Sequence, residues 1–439
     1  MTPLLSEYLR QRKEIIVART RLVDSSQLDA LQSALSSLDQ ESQWQTYECT
    51  LITPMYGGGV EAGEVDKQMP IRASEIRGHL RFWWRLLYGT QDSKETFDRE
   101  KAIWGGIAAN PKDIKKSLVS IKVTTHAPIH LKPSTTYTDV KNGNTNKINK
   151  NSLGYAFGAA SILTENEEDI CWLSEGTRFT LYIKLDIPEP SHKNKEDIEE
   201  QINSSIKYWA NFGGLGARTR RGFGSIYSSA FSIKSNTEIE SLIKKLTNSK
   251  FALLQSKSAS AVTAWETASQ RLSSFRQIGI GRKSHKNRST WPEPDQLRRF
   301  TDKNDNGKHK PEHKAGNVFP RAAFGMPILF KFKSSSDPQT LRLLPQGAER
   351  FASPLIIRPI QLQEGCVAIA LLLPNWQQAL TQELELQTEK DDTFLVANKE
   401  PPMSWGERNG AELASLITPM QGRADNPLEA FLDYFEKGR

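Results

Sequence analysis

The sequence predicts an α+β chain of two domains behind an N-terminal helical extension. Three observations point there. At 439 residues the chain exceeds the size at which one hydrophobic core usually stops growing. Its apolar residues recur with a period of two in some stretches and with helical spacing in others. With 37% hydrophobic and 25% charged residues, it has enough apolar material for buried cores in a polar chain.

Residues 1–45 carry Leu5, Leu9, Ile16, Val17, Leu28, Leu31, Leu35 and Leu38 at mixed helical spacing, which predicts two helices of an extension. From Tyr47 the period changes to two. Tyr47, Cys49, Leu51 and Thr53 alternate with Glu48, Thr50 and Ile52, and the run ends at Pro54 and Gly57, Gly58 and Gly59, a strand entering a Gly-rich turn. Ser74 then stands where a helix N-cap is expected, Glu75 sits at the positive end of the helix dipole, and the helix runs through Tyr88 to Gly89.

Two clean alternations follow, Val119, Ile121 and Val123, then Phe179, Leu181, Ile183 and Leu185; both read as half-buried strands. Ile198, Ile202, Ile206 and Trp209 predict a helix over 196–211, followed by a Gly/Arg-rich loop and a strand from Gly224 to Phe231. Strand, helix, strand, strand, helix, strand is the split βαβ order of a ferredoxin-like domain, assigned to 46–250.

The remainder, 251–439, is expected to be a second α+β domain. Helical material covers 236–275, a basic stretch 276–299, and strand-like runs 326–332, 353–360, 366–373 and 393–397. A last helix starts at Asn426 and Pro427 and buries Leu428, Phe431, Leu432 and Phe435. Residues 133–152 and 301–317 hold almost no large apolar side chain and are expected to be mobile loops.

Several function classes are disfavoured. No apolar run reaches bilayer length, and charges break up the first twenty residues, so neither anchoring nor secretion is expected. Cys49, Cys171 and Cys366 lie too far apart for a metal-ligand or disulfide pattern and read as reduced thiols of a cytoplasmic protein. Gly214 and Gly216 start a G-x-G, but Thr219 stands where the third glycine belongs and no GxxxxGK[ST] occurs, so no nucleotide cofactor is expected. His309 and His313 flank Pro311 in a loop, not a helix face, and Glu61, Glu64 and Asp66 read as an exposed acidic turn; no metal is expected.

The net charge of +7 matters only if it is concentrated, and two stretches concentrate it. In the helix of residues 71–89, Ile76, Leu80, Trp83 and Leu87 form one stripe, while Arg77, Arg81, Trp84, Arg85 and Tyr88 form the adjacent one. Guanidinium forks for phosphates beside a ring face for a base make up sequence-tolerant single-strand binding, and Gly78 would let a backbone approach closely. A solvated face with ion pairs is the plainer reading of the same stripe.

In residues 211–228, Gly213, Gly214, Gly216, Gly222 and Gly224 surround Arg218, Arg220 and Arg221. Like charges at short range repel unless an anion is present, which favours a phosphate ligand over a tight turn with surface charges. A third basic stretch holds Arg282, Lys283, Lys286 and Arg288 ahead of Trp291, which fits RNA backbone plus one stacked base or equally a packing tryptophan. Arg321 and Arg358, each beside a proline, fit phosphate contacts or carboxylate partners.

The Gly-rich turn, the pattern R-x-S-x-x-R-G-x-L-R from Arg72 through Ser74 to Arg81, and the loop Gly214 to Gly224 together resemble the RAMP superfamily. Phe82, Trp83 and Trp84, with the blocks at 281–298, 319–332 and 351–359, resemble the family of first subunits of the Cmr (type III-B) CRISPR effector complex, over 46–439. The resemblance implies two tandem ferredoxin-like (RAMP/RRM-like) domains. It implies guide RNA, target RNA and other Cmr subunits as partners, no cofactor and no catalysis by this subunit. Some relatives cleave RNA with a His as general base, which makes His79 or His285 the residue of an alternative reading as a metal-independent endoribonuclease. A scaffold touching only protein, its arginines paired to acids, is the third possibility.

Overall fold

The computed structural model describes residues 44–59, 63–107, 114–133, 136–138, 145–147, 155–156, 171–187, 192–277, 288–388, 402–406 and 410–438. Residues 1–43 of the extension expected at 1–45, the run at 393–397, and Arg282, Lys283 and His285 lie outside them.

The protein is a mixture of helices and antiparallel sheets. β1 (Gln45–Leu51), β2 (Val119–Thr125), β7 (Arg178–Leu185) and β8 (Ile226–Tyr227) form a sheet in the order β2-β7-β1-β8, with every neighbouring pair antiparallel. Tyr47 lies opposite Leu181 and Cys49 opposite Phe179, so the alternating apolar residues of both strands share one face. Cys49, Leu51, Phe179, Leu181 and Ile183 on that face are buried together with Ile76, Leu80 and Trp83 of α1 (Ala73–Tyr88) and Ile202, Ile206 and Trp209 of α3 (His192–Phe212). Burial pushes the Cys49 thiol up to about 12, the behaviour of a packed, unreactive sulfur. α2 (Ser93–Trp104) follows α1, and the short strands β3 (Leu131–Pro133), β4 (Thr136–Thr138), β5 (Thr145–Lys147) and β6 (Cys171–Leu173) form two two-stranded ribbons between β2 and β7.

The second half begins with α4 (Asn236–Lys244) and β9 (Lys250–Leu253), so the expected continuous helical stretch is interrupted by a strand at the position of the expected domain boundary. α5 (Ala261–Arg276) and α6 (Glu293–Thr301) follow. β12 (Leu355–Gln361), β13 (Cys366–Leu372) and β9 form one three-stranded antiparallel sheet; β10 (Ile328–Phe330), β11 (Leu341–Pro345) and β14 (Leu384–Thr388) form another. α7 (Gly410–Leu416) and α8 (Pro427–Lys437) close the chain.

β13 reads as an unbroken apolar run, and β12 is apolar up to Gln361 except at Arg358, because both faces of their sheet are covered. Ile356, Ile360, Val367, Ile369 and Leu371 belong to the core of the first half. Leu355, Ile357, Cys366, Ala368, Ala370 and Leu372 belong to a second core with Ala264, Ala268 and Leu272 of α5 and Leu428 and Phe431 of α8. The two halves therefore share a core across this sheet.

Residues 301–317 differ from the expected mobile loop. The buried Asp295 carboxylate accepts from the N–H groups of Glu312 at 2.8 Å and His313 at 3.0 Å, while Arg299 donates to the His313 carbonyl at 2.6 Å. A polar segment is thus held by backbone-directed hydrogen bonds where apolar burial is scarce. No helix among the described residues is long and apolar enough to cross a membrane.

Candidate functional site

Helix α1 starts two residues earlier than the sequence implies. Arg72 is the N-cap and Ser74 lies inside the first turn, exposed, making no cap hydrogen bond. The apolar stripe is buried as expected, yet the neighbouring stripe is not a free basic and aromatic surface. Trp84 is fully buried and its Nε1 donates to Gln201 Oε1 at 2.8 Å, so its ring is part of the core, with no face open to a base. Arg77 donates to Ser117 Oγ at 2.7 Å and to the Val119 carbonyl at 2.9 Å. Arg81 Nε and Arg85 Nη1 lie 2.5 and 2.7 Å from the same oxygen of Glu100, a carboxylate on α2 that is 4% exposed.

The opposite flank of the helix meets the Gly/Arg loop. Glu75 accepts from the Gly216 N–H, Arg72 donates to the Gly58 carbonyl, and the Arg220 guanidinium lies 5.7 Å from the centroid of the Phe82 ring. His79 Nε2 is 3.7 Å from Glu75 and its side chain is 25% exposed. Gly78 stands between the flanks, exposed, with no atom within 4 Å of where a Cβ would be.

The loop glycines serve close packing. Gly216 has φ +77°, and a Cβ there would lie 2.5 Å from the Tyr56 carbonyl oxygen; at Gly222, φ +84°, it would lie 2.5 Å from the Trp265 ring. Trp265 Nε1 in turn donates to the Arg221 carbonyl at 2.6 Å, which seats the loop on α5 of the second half.

The three loop arginines find carbonyls instead of carboxylates. Arg218 Nη1 is 3.3 Å from the Ala156 oxygen, Arg220 donates to the Ser353 oxygen, and Arg221 Nη2 donates to the Phe324 oxygen at 3.0 Å. Burial holds all three below the ordinary arginine value, Arg221 at about 10. Arg358, which sequence reasoning left open, is turned to backbone carbonyls. It is 1% exposed and donates to the carbonyls of Pro359, Gly213 and Ile226.

The remaining expected ligands are otherwise engaged. Arg288 pairs with Asp295 at 2.9 Å and Glu312 at 3.2 Å, and Arg321 Nε lies 3.2 Å from the fully buried Glu293. Trp291 is 2% exposed with Nε1 donating to the Phe275 carbonyl, a packing tryptophan. Gly213 and Gly214 pack against Trp83 and the Gly224 carbonyl. Arg276, at the end of α5, joins the same region through the Phe324 ring at 5.0 Å; it heads the basic stretch at 276–299 but was not among the expected ligands. Among the described residues no group of three or more His, Cys, Asp and Glu is placed to hold a metal ion.

The loop and the helix that meet at Phe82 and Arg220 both fall within one homologous segment. Residues 48–227 match the family model of the RAMP superfamily. The matched segment runs from within β1 to the end of β8 and contains both arginine-bearing motifs. The chain is also similar to Cmr1 from Pyrococcus furiosus in its apo form, at 14% identity and a TM-score of 0.45, covering 75% of this chain and 87% of that one. A chain of the type III-B Cmr-beta bound to cognate target RNA is similar at 14% identity and a TM-score of 0.43, covering 76% and 94%. A chain of the same complex with AMPPnP and single-stranded DNA has 15% identity and a TM-score of 0.43 over 90% and 99%. Among curated proteins none matches this sequence.

Proposed function

We propose that the chain is a non-catalytic RNA-binding subunit of a type III-B CRISPR (Cmr) effector complex. In this reading it caps the backbone end near the guide 3′ end and helps capture and position target RNA, with guide RNA and other Cmr subunits as partners. The observation that carries it is the set of loop arginines, Arg218, Arg220 and Arg221, held by backbone carbonyls and, among the described residues, paired with no carboxylate. Uncompensated guanidinium groups in a Gly-rich loop attract phosphate and read no base edges, so base pairing with the guide would supply sequence choice. The RAMP match over 48–227 and the sequence motifs continuing beyond it support the same reading.

The tandem form of the fold belongs to this proposal. In the second half, β9, α5, β12, β13 and α8 follow one another as strand, helix, strand, strand, helix, with sheet order β12-β13-β9. We read it as a ferredoxin-like unit of three strands with the β10-β11-β14 sheet inserted.

The test is retention of labelled single-stranded RNA by the full chain as salt is raised. Binding should fall with a log–log slope of about −0.7 per phosphate contacted, alike for unrelated sequences, and Arg220→Ala should flatten that slope. Sequence-restricted loss would count against it. His79, a quarter exposed beside Glu75, motivates the alternative, a metal-independent endoribonuclease processing precursor RNA. It predicts products ending in 2′,3′-cyclic phosphate that vanish in His79→Ala.

A further inference from the structure

Phe324 closes a short 3-10 turn, Pro320–Phe324, and gathers two arginines from distant parts of the chain. Arg221 Nη2 donates to its carbonyl at 3.0 Å, and the Arg276 guanidinium stacks 5.0 Å from its ring centroid. Arg276 also lies 5.9 Å from the Tyr155 centroid, and its Nη2 is 3.3 Å from the Arg321 carbonyl. Arg221 comes from the RAMP segment and Arg276 from α5, so the pair spans the junction of the two halves.

Each guanidinium has a donor left over. Arg221 Nη1 and Arg276 Nε are buried and have no hydrogen-bond partner among the described residues. One carboxylate is near, set against three guanidiniums: Glu293 is fully buried, its Oε1 accepts from the Arg321 backbone N–H at 2.8 Å, and its Oε2 sits 3.2 Å from Arg321 Nε without a hydrogen bond. Its charge also acts on Arg276, which leaves a net positive cluster. Two confined cations repel each other, and buried donors without acceptors are costly. Both penalties vanish if an oxyanion with several acceptor atoms enters between the forks, and a tetrahedral phosphate offers acceptors in the right number.

We propose that Arg221 and Arg276 form an anion site at the junction of the two halves that takes one phosphodiester of an RNA strand. The assignment to RNA rests on the RNA-binding reading above; the assignment of an anion rests on the two arginines alone. Arg276 is then a binding residue outside the RAMP segment, and it ties the second half directly to the nucleic acid. A purely structural Arg276 would act through its rings and the Arg321 carbonyl and would have no use for an added anion.

Arg276→Gln separates the two, because it keeps an amide donor for that carbonyl and removes the charge. Thermal unfolding of the full chain is followed with and without inorganic phosphate at constant ionic strength, and RNA retention is measured in parallel. For the anion site, phosphate raises the melting temperature of the unaltered protein and not of the variant, the variant without phosphate melts no lower than the unaltered protein, and RNA affinity drops on the order of tenfold. Equal phosphate shifts in both proteins overturn the site. A phosphate shift lost in the variant while RNA affinity stays the same overturns the RNA assignment and leaves a free-anion site. If the unaltered protein retains no RNA, the functional reading fails, whereas the phosphate comparison still decides the site.

Discussion

Arg358 Nη2 lies 3.1 Å from the carbonyl oxygen of Ile226, and through this bond the second half of the chain holds the end of the Gly/Arg loop of the first. The same guanidinium also serves Gly213 and Pro359. Burial depresses it to about 9, yet it remains charged at neutral pH because three carbonyl dipoles converge on it. Arg358→Met should fill the space and strand those carbonyls, lowering stability by about 2–4 kcal/mol in urea unfolding. RNA retention should fall with it, since the loop would lose its anchor.

Glu100 is the counterion that withdraws Arg81 and Arg85 from solution. Glu100→Gln should cost roughly 1–3 kcal/mol of stability, as both cations are part-exposed and partly compensated by water. It should also release two guanidiniums onto the face of α1. The expected outcome is weaker folding with tighter RNA retention; tighter folding, or unchanged retention, would show that this face does not touch RNA.

Gly78 interrupts α1 where no neighbouring atom requires its missing side chain. Gly78→Ala should therefore stabilise the helix by roughly 0.5–1 kcal/mol. If a ribose-phosphate backbone lies on this ridge, the added methyl group should weaken RNA binding at the same time. Opposite signs in the unfolding and binding measurements are what a ligand-facing glycine predicts.

Asp295 ties down residues 301–317. Burial raises its carboxyl, but hydrogen bonds from the Glu312 and His313 N–H groups and the Arg288 guanidinium outweigh it and hold the group below the usual aspartate value. A carboxyl depressed on folding contributes stability that is complete above the unfolded value of about 4 and is lost as pH falls through the native one. The urea midpoint should drop between pH 6 and pH 3, and Asp295→Asn should reduce that drop while lowering the midpoint at pH 6. Hydrogen exchange at Glu312 and His313 would accelerate in the variant.

The Arg77 and Arg81 flank and the loop arginines take separate sets of partners. Helix α1 turns Arg77, Arg81 and Arg85 toward Ser117 and Glu100, and turns Glu75 and Phe82 toward the loop. Phe82 and Arg220 make the junction, which periodicity places correctly on the helix but cannot pair across about 140 residues of chain.

By itself the sequence determined what is local. Alternation at Cys49, Leu51, Phe179 and Leu181 set the buried face of the first sheet, helical spacing of Ile76, Leu80 and Trp83 set the packing stripe of α1, and glycines marked the turns where backbones come close. These follow from fixed side-chain directions along a strand or helix. Only the tertiary structure decided the fate of each charge and ring. Trp84 lies next to the apolar stripe, and α3 covers it; Glu100 reaches Arg81 because α2 folds back; Arg276 joins Arg221 because α5 packs behind the loop. Whether a guanidinium is free depends on the acceptors other elements bring to it, and that is a property of distance in space, not spacing in the chain.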